Sequence, residues 1–184
     1  MAMSESEIKN LVLQSQQGDR QAFVQIYNLF FAKIYKFVFF RTKQKEDAED
    51  LTCLVFLKVW QHLAKYRFKK NAKFSTWLFQ IARFTLIDYY RQQKPSVSLD
   101  AMKELKFEDA IQKKIELEEI KKALKLLPEA WQTAVNLRYF GGFSYQEIAQ
   151  IMGKTSVGVR VLVHRALKKI GNLIKHGYDQ KSKN

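Results

Sequence analysis

Helix breakers are scarce enough to decide the fold class: only two prolines and seven glycines are spread over 184 residues. Between them, apolar residues recur three and four apart, the spacing that lines one face of an α-helix, and no alternating strand pattern appears. The expectation is an all-α protein. A short helix from about Glu5 to Gln16 should stop at Gly18, with Asp19 capping a second helix that carries Ala22, Phe23, Ile26, Tyr27, Phe30, Ile34 and Phe37. Glu46 and Asp47 suit the start of a third, running through Ala48, Leu51, Val55, Val59 and Leu63. After the basic loop Tyr66 to Lys73, a fourth starts near Ser75 and cannot pass Pro95.

The segment Pro95 to Asp100 loses helical periodicity and reads as a connector. A chain of this length can hold one medium core or two small ones of roughly 70 to 90 residues each. The expected organisation is therefore a helical domain over 1–94, a short flexible linker over 95–112 and a second helical domain over 113–184. In the second, Glu104 to Leu127 is charged and helical, Pro128 opens a helix ending at Gly141-Gly142, and Ser144 to Glu147 has capping-box spacing. Gly153 ends that short helix, and Thr155 or Ser156 can cap the last one.

Those last two helices have the makings of a helix-turn-helix: a small residue at the crossing (Ala149), a glycine in the turn (Gly153) and an apolar anchor on the second helix (Val159). At 100° per residue, Val159, Leu162, Val163, Ala166, Ile170 and Leu173 form an inward stripe. Arg160, Val161, His164, Arg165 and Lys168 lie on the other side. Arg160 and Arg165 have the reach and fork geometry for guanine edges or phosphates in a major groove, and Lys168 suits phosphate. The net charge of +14 fits a polyanionic partner, nucleic acid being the commonest in cytoplasm.

Other classes find little support. A single cysteine, Cys53, excludes an internal disulfide framework. No apolar run is long and charge-free enough to span a bilayer, and no signal peptide is evident, so a cytoplasmic protein without a membrane partner is expected. His62, His164 and His176 lie apart from one another and from acid or cysteine partners at metal spacing, so no metal, cofactor, catalytic residue or small-molecule substrate is expected. The acids around Glu46 to Asp50 read as a negatively charged helix start. Met152-Gly153-Lys154-Thr155 echoes a phosphate-binding loop, but Ile148 stands where its first glycine belongs.

Ala48-Glu49-Asp50-Leu51-Thr52, Val55 to Trp60 and Phe74 to Arg83 resemble region 2 of bacterial sigma factors. Leu127-Pro128-Glu129, Leu137-Arg138-Tyr139, Phe143 to Ala149 and His164-Arg165-Ala166 resemble region 4. Two regions in this order, with no other large domain, are similar to the extracytoplasmic-function branch. The resemblance implies a factor that binds core RNA polymerase, directs it to promoters and promotes strand opening, without being an enzyme. It implies that Asp50, Leu51, Leu54, Val55 and Lys58 lie on the helix meeting the polymerase clamp, with core packing equally open for Leu51 and Val55. It further implies that the loop Phe68 to Phe74 receives one extruded base of the minus 10 element. There Asn71 would offer amide hydrogen bonds, Phe68 or Phe74 a stacking face, and Lys69, Lys70 and Lys73 phosphate contacts. Arg83 and Arg91 would touch the DNA backbone, whereas Trp77, Phe79 and Phe84 read as core. Thr155, Ser156, Arg160, Val161, His164, Arg165 and Lys168 would meet the duplex minus 35 element. Family habit adds an anti-sigma factor as a partner.

The sequence also departs from the family pattern. Cys53-Leu54 stands where Gln-Glu is usual after Asp-Leu-Thr, which leaves open a more apolar polymerase contact or a different helix orientation; Cys53 itself reads as a small buried residue. Val157-Gly158 and Leu162 depart from the usual recognition helix. Two other readings stay open: a stand-alone helix-turn-helix regulator that does not act through the polymerase core, and an RNA-binding helical protein.

Overall fold

The computed structural model describes residues 3–42, 44–70, 72–92, 120 and 122–181. Its elements are α1 (Glu5–Gln16), α2 (Arg20–Thr42), α3 (Lys45–Leu63), α4 (Phe74–Gln92), α5 (Glu129–Tyr139), α6 (Tyr145–Met152) and α7 (Ser156–Lys181). An isolated bridge between Lys69 and Ala72 is the sole β-type pairing among the described residues. The expected linker over 95–112, most of the expected helix from Glu104, and Asn71 lie outside the described residues.

The helix starts are set by local chemistry. Ser4 and Glu7 form a reciprocal capping box on α1. Gly18 turns the chain at φ 96°, and Asp19 Oδ1 then accepts from the backbone N–H groups of Gln21 (2.8 Å) and Ala22 (3.1 Å), opening α2. Pro128 stands at the N-cap of α5, and Thr155 Oγ1 accepts from Gly158 N–H at the start of α7. Gly153 takes φ 64°, the left-handed conformation that lets α6 stop and α7 leave at an angle.

Helices α1 to α4 pack around Ile26, Phe30, Ile34, Val38, Val55, Val59, Leu63, Phe74, Leu78 and Phe79, all buried. Val159, Val163, Ala166 and Ile170 turn inward on α7 as their spacing requires, against α5 and α6. The buried apolar residues among those described form two clusters. A satellite core of Ala123, Leu124, Leu127, Val135, Ala166 and Ile170 belongs to the second unit alone. Leu137, Phe143, Ile148 and Ile151, however, are continuous with the core of α1 to α4, because α4 packs directly on α6. Phe79 and Phe143 meet edge to face at 4.7 Å across this junction.

Candidate nucleic-acid and polymerase interfaces

The capping box that starts α6 also fixes the helix-turn-helix. Ser144 N–H donates to Glu147 Oε2 (2.8 Å), and Glu147 N–H donates to Ser144 Oγ (3.3 Å). On α7, Arg160, Val161, His164, Arg165 and Lys168 are all exposed. Thr155 is exposed and occupied as a cap, and Ser156 is half-buried. One organising residue was missed at the sequence level: Tyr145, whose ring lies between the guanidinium groups of Arg138 (4.8 Å to the centroid) and Arg160 (5.4 Å). This cation–π pairing ties the exposed Arg160 to the Tyr145 ring at the start of α6. Because Arg138, Tyr145 and Arg160 sit on three different helices, no helical spacing signals it.

The loop between α3 and α4 presents its cations, since Lys69, Lys70 and Lys73 are exposed. Its aromatic part differs from expectation. Phe74 is fully buried against Phe30 and Tyr66, so its ring faces core and offers no stacking surface. Phe68 is half-buried, edge-on to Tyr66 at 5.0 Å. Trp77, expected in the core, is half-buried and lies 4.6 Å from the Tyr66 ring; together with Arg67, Lys69 and Thr76 it lines a cleft of about 510 Å³. Thr76 Oγ1 is buried there without a hydrogen-bond partner among the described residues. On α4, Phe79 is core as expected. Phe84 is not: it is 56% exposed, under the Arg83 guanidinium (5.4 Å), with Arg83 half-buried and Arg91 exposed.

On α3, Asp50 is exposed and Lys58, half-buried, pairs with Asp88 at 3.4 Å. Leu51 and Val55 are buried in the helical core, so core packing is their role and the polymerase-contact assignment does not hold for them. Cys53 is exposed, contrary to its reading as a buried residue, because it falls one position past the buried Thr52, whose hydroxyl back-bonds to the Ala48 carbonyl. What α3 offers instead is Leu54 (39% exposed), Leu57 (52%) and Trp60 (40%). Three residues apart, they form an apolar ridge beside the core stripe, and Leu57 and Trp60 were missed because the stripe of Leu51, Val55 and Val59 was the only apolar face followed along the helix.

The Sigma-70 region 2 family model matches residues 26–95, and the Sigma-70 region 4 model matches 117–170. The ECF RNA polymerase sigma factor SigM of Bacillus subtilis is 30% identical over 158 residues, covering 83% of this chain and 95% of that relative. The chain is an extracytoplasmic-function sigma factor. The sigma-E factor of Escherichia coli K12 is 30% identical over 179 residues, covering 89% of this sigma factor and 92% of the relative. Solved structures agree on the architecture. The sigma factor RpoE in complex with the anti-sigma factor NepR from Bartonella quintana superposes with a TM-score of 0.68 at 25% identity, covering 83% of this chain and 96% of that one. CnrH in complex with the cytosolic domain of CnrY gives 0.72 at 20% identity, covering 92% and 98%, a likeness of fold. As a sigma factor the chain directs RNA polymerase to promoters, binding core polymerase and promoter DNA. Region 2 thus spans most of α2 with α3 and α4, and region 4 spans α5, α6 and most of α7.

Proposed function

We propose that this sigma factor divides its work between three surfaces: α7 reads the duplex minus 35 element, the loop between α3 and α4 captures an unpaired base of the minus 10 element, and the α3 ridge grips the polymerase. The observation that carries this reading is the separation of faces on α7. Val159, Val163, Ala166 and Ile170 are buried while Arg160, His164, Arg165 and Lys168 are exposed together, the arrangement a recognition helix needs.

Strand opening needs no catalytic group. A protein that binds an extruded base better than a stacked one shifts the equilibrium toward melted DNA by its differential affinity alone. The cleft beside Trp77 supplies an aromatic face, with Arg67 and Lys69 in its lining and the exposed Lys70 in the same loop to meet the strand's phosphates. Asn71, outside the described residues, is kept in this reading from the sequence alone as the residue offering amide hydrogen bonds to the base. The chain works in the cytoplasm, where polymerase and promoters are, and acts as a binding protein with no reaction of its own. An anti-sigma factor is its natural inhibitor, as NepR is named for RpoE.

Run-off transcription with purified core polymerase on a promoter library tests the reading. New start sites should appear only when this protein is added, and permanganate should detect opened thymines upstream of them. A protein that yields no new start site across the library is not acting as proposed.

A further inference from the structure

Two side chains on the open face of α7 serve neither the core nor the charge of the helix. Val157 is 68% exposed and Val161 41%. At about 100° per residue, both lie within about 30° of the direction opposite the buried stripe of Val159, Val163, Ala166 and Ile170. They hold the middle of the face. Arg160 and His164 flank them on one side and Arg165 on the other, all exposed, with Lys168 further along the same ridge. No acid occurs from Ser156 to Ile174, so the face is an apolar pair set among cations. Valine is a poor helix former, and so exposed a position gives Val157 little packing in return. Between the two, Gly158 keeps the first turn clear: a Cβ there would lie 3.0 Å from Thr155 Oγ1, the atom that accepts the Gly158 N–H.

We infer that Val157 and Val161 are specificity-determining residues of α7, each packing on the C5-methyl of a thymine in the major groove of the upstream element. The inference rests on the assignment of α7 to the minus 35 duplex and adds the base selected there. Charge complementarity brings the duplex to this face: the cations at its edges meet phosphates or guanine edges, and the apolar middle meets the groove floor. Thymine alone carries a methyl there, whereas cytosine presents an amino donor and the purines present N7 acceptors. An isopropyl group satisfies no donor or acceptor, so a base that needs one is left dry and unpaired beside it. Branching at Cβ restricts χ1, so little rotamer freedom is lost when the contact forms. Four residues of helix rise by roughly 6 Å, close to two base-pair steps of about 3.4 Å, which places the two thymines about two steps apart.

Duplexes with a randomised upstream element, selected for binding by the full chain with core polymerase, supply the probe. Each thymine of the selected sequence is then replaced singly by deoxyuridine, which removes the methyl and keeps the base pair. Two of these replacements, about two steps apart, should each weaken binding about three- to fivefold, the worth of one buried methyl. Val157→Ala should abolish the loss at one of these positions and Val161→Ala the loss at the other, at an unchanged or higher Tm, since alanine is the better helix former. Arg165→Ala should weaken binding to all these duplexes and keep both losses. A selected sequence without thymine, deoxyuridine that costs nothing at any position, or equal losses in the parent and both valine variants overturns the methyl contact while α7 keeps its duplex. A pool in which no sequence is enriched overturns the assignment of α7 to the minus 35 element itself.

Discussion

Two arginines on α7 differ in how they are held, and that difference is testable. Arg160 is backed by the Tyr145 ring, whereas Arg165 shows no such backing contact among the described residues. Arg160→Ala and Arg165→Ala should each weaken duplex minus 35 binding by about 1–3 kcal/mol without changing polymerase affinity, as read by titration of labelled duplex. Equal binding by parent and both variants would place the reading face elsewhere. At Glu147, partial burial pushes the carboxyl up, but the hydrogen bonds from Ser144 and the Lys73 ammonium outweigh it and hold the group below the ordinary 4.5. A depressed carboxylate stabilises the fold above its ordinary value and loses that contribution as pH falls through the lower one. Lys73, raised above 10.5 by Glu147 and, from α1, by Glu5, contributes below that value and loses it as pH climbs through the raised one. The contact between Lys73 and Glu147 should therefore hold through the neutral range and weaken as pH falls through the depressed Glu147 value, detected as a loss of thermal stability on acidification. Glu147→Gln should remove that acid limb while keeping the capping hydrogen bonds.

At the scale of elements, α3 shows what a sequence reveals and what it conceals. Its buried stripe was legible, since Ala48, Leu51, Val55, Val59 and Leu63 follow helical spacing and all are buried. The assignment of Leu51 and Val55 to the polymerase face failed because one helix carries two adjacent apolar ribbons, and spacing alone does not say which faces a partner. The ridge of Leu54, Leu57 and Trp60 favours the more apolar of the two polymerase contacts left open by the Cys53-Leu54 departure. Leu54→Ser with Leu57→Ser should lower affinity for core polymerase by tenfold or more at unchanged thermal stability; a loss of less than twofold would remove the ridge from the interface. The helix-turn-helix was legible almost completely, because caps and turns are local chemistry: Ser144, Glu147 and Gly153 do what their spacing requires. A Cβ at Gly153 meets nothing within 4 Å, so Gly153→Ala should cost only the backbone strain of φ 64°, about 1 kcal/mol, and lower Tm by a few degrees.

For the molecule as a whole, the all-helical class and the two-region order could be read from breakers and motifs, but the docking of the regions could not. Arg41 and Glu129 are 88 positions apart and carry no local signal of each other. Phe143 and Ile148 join the core of α1 to α4, and a docked face has the same apolar pattern as a domain's own core. Glu129→Arg puts a like charge beside the nearly buried Arg41 guanidinium and should lower Tm, read by thermal melting of the full chain. An unchanged Tm would mean that the pair adds nothing measurable to the packing of α5 on α2.

The two oxygens of Glu147 do different work. Oε2 receives the Ser144 N–H that starts α6, while Oε1 faces the Lys73 ammonium of the other region. Parting of the regions therefore takes nothing from the helix start, which keeps its own acceptor throughout.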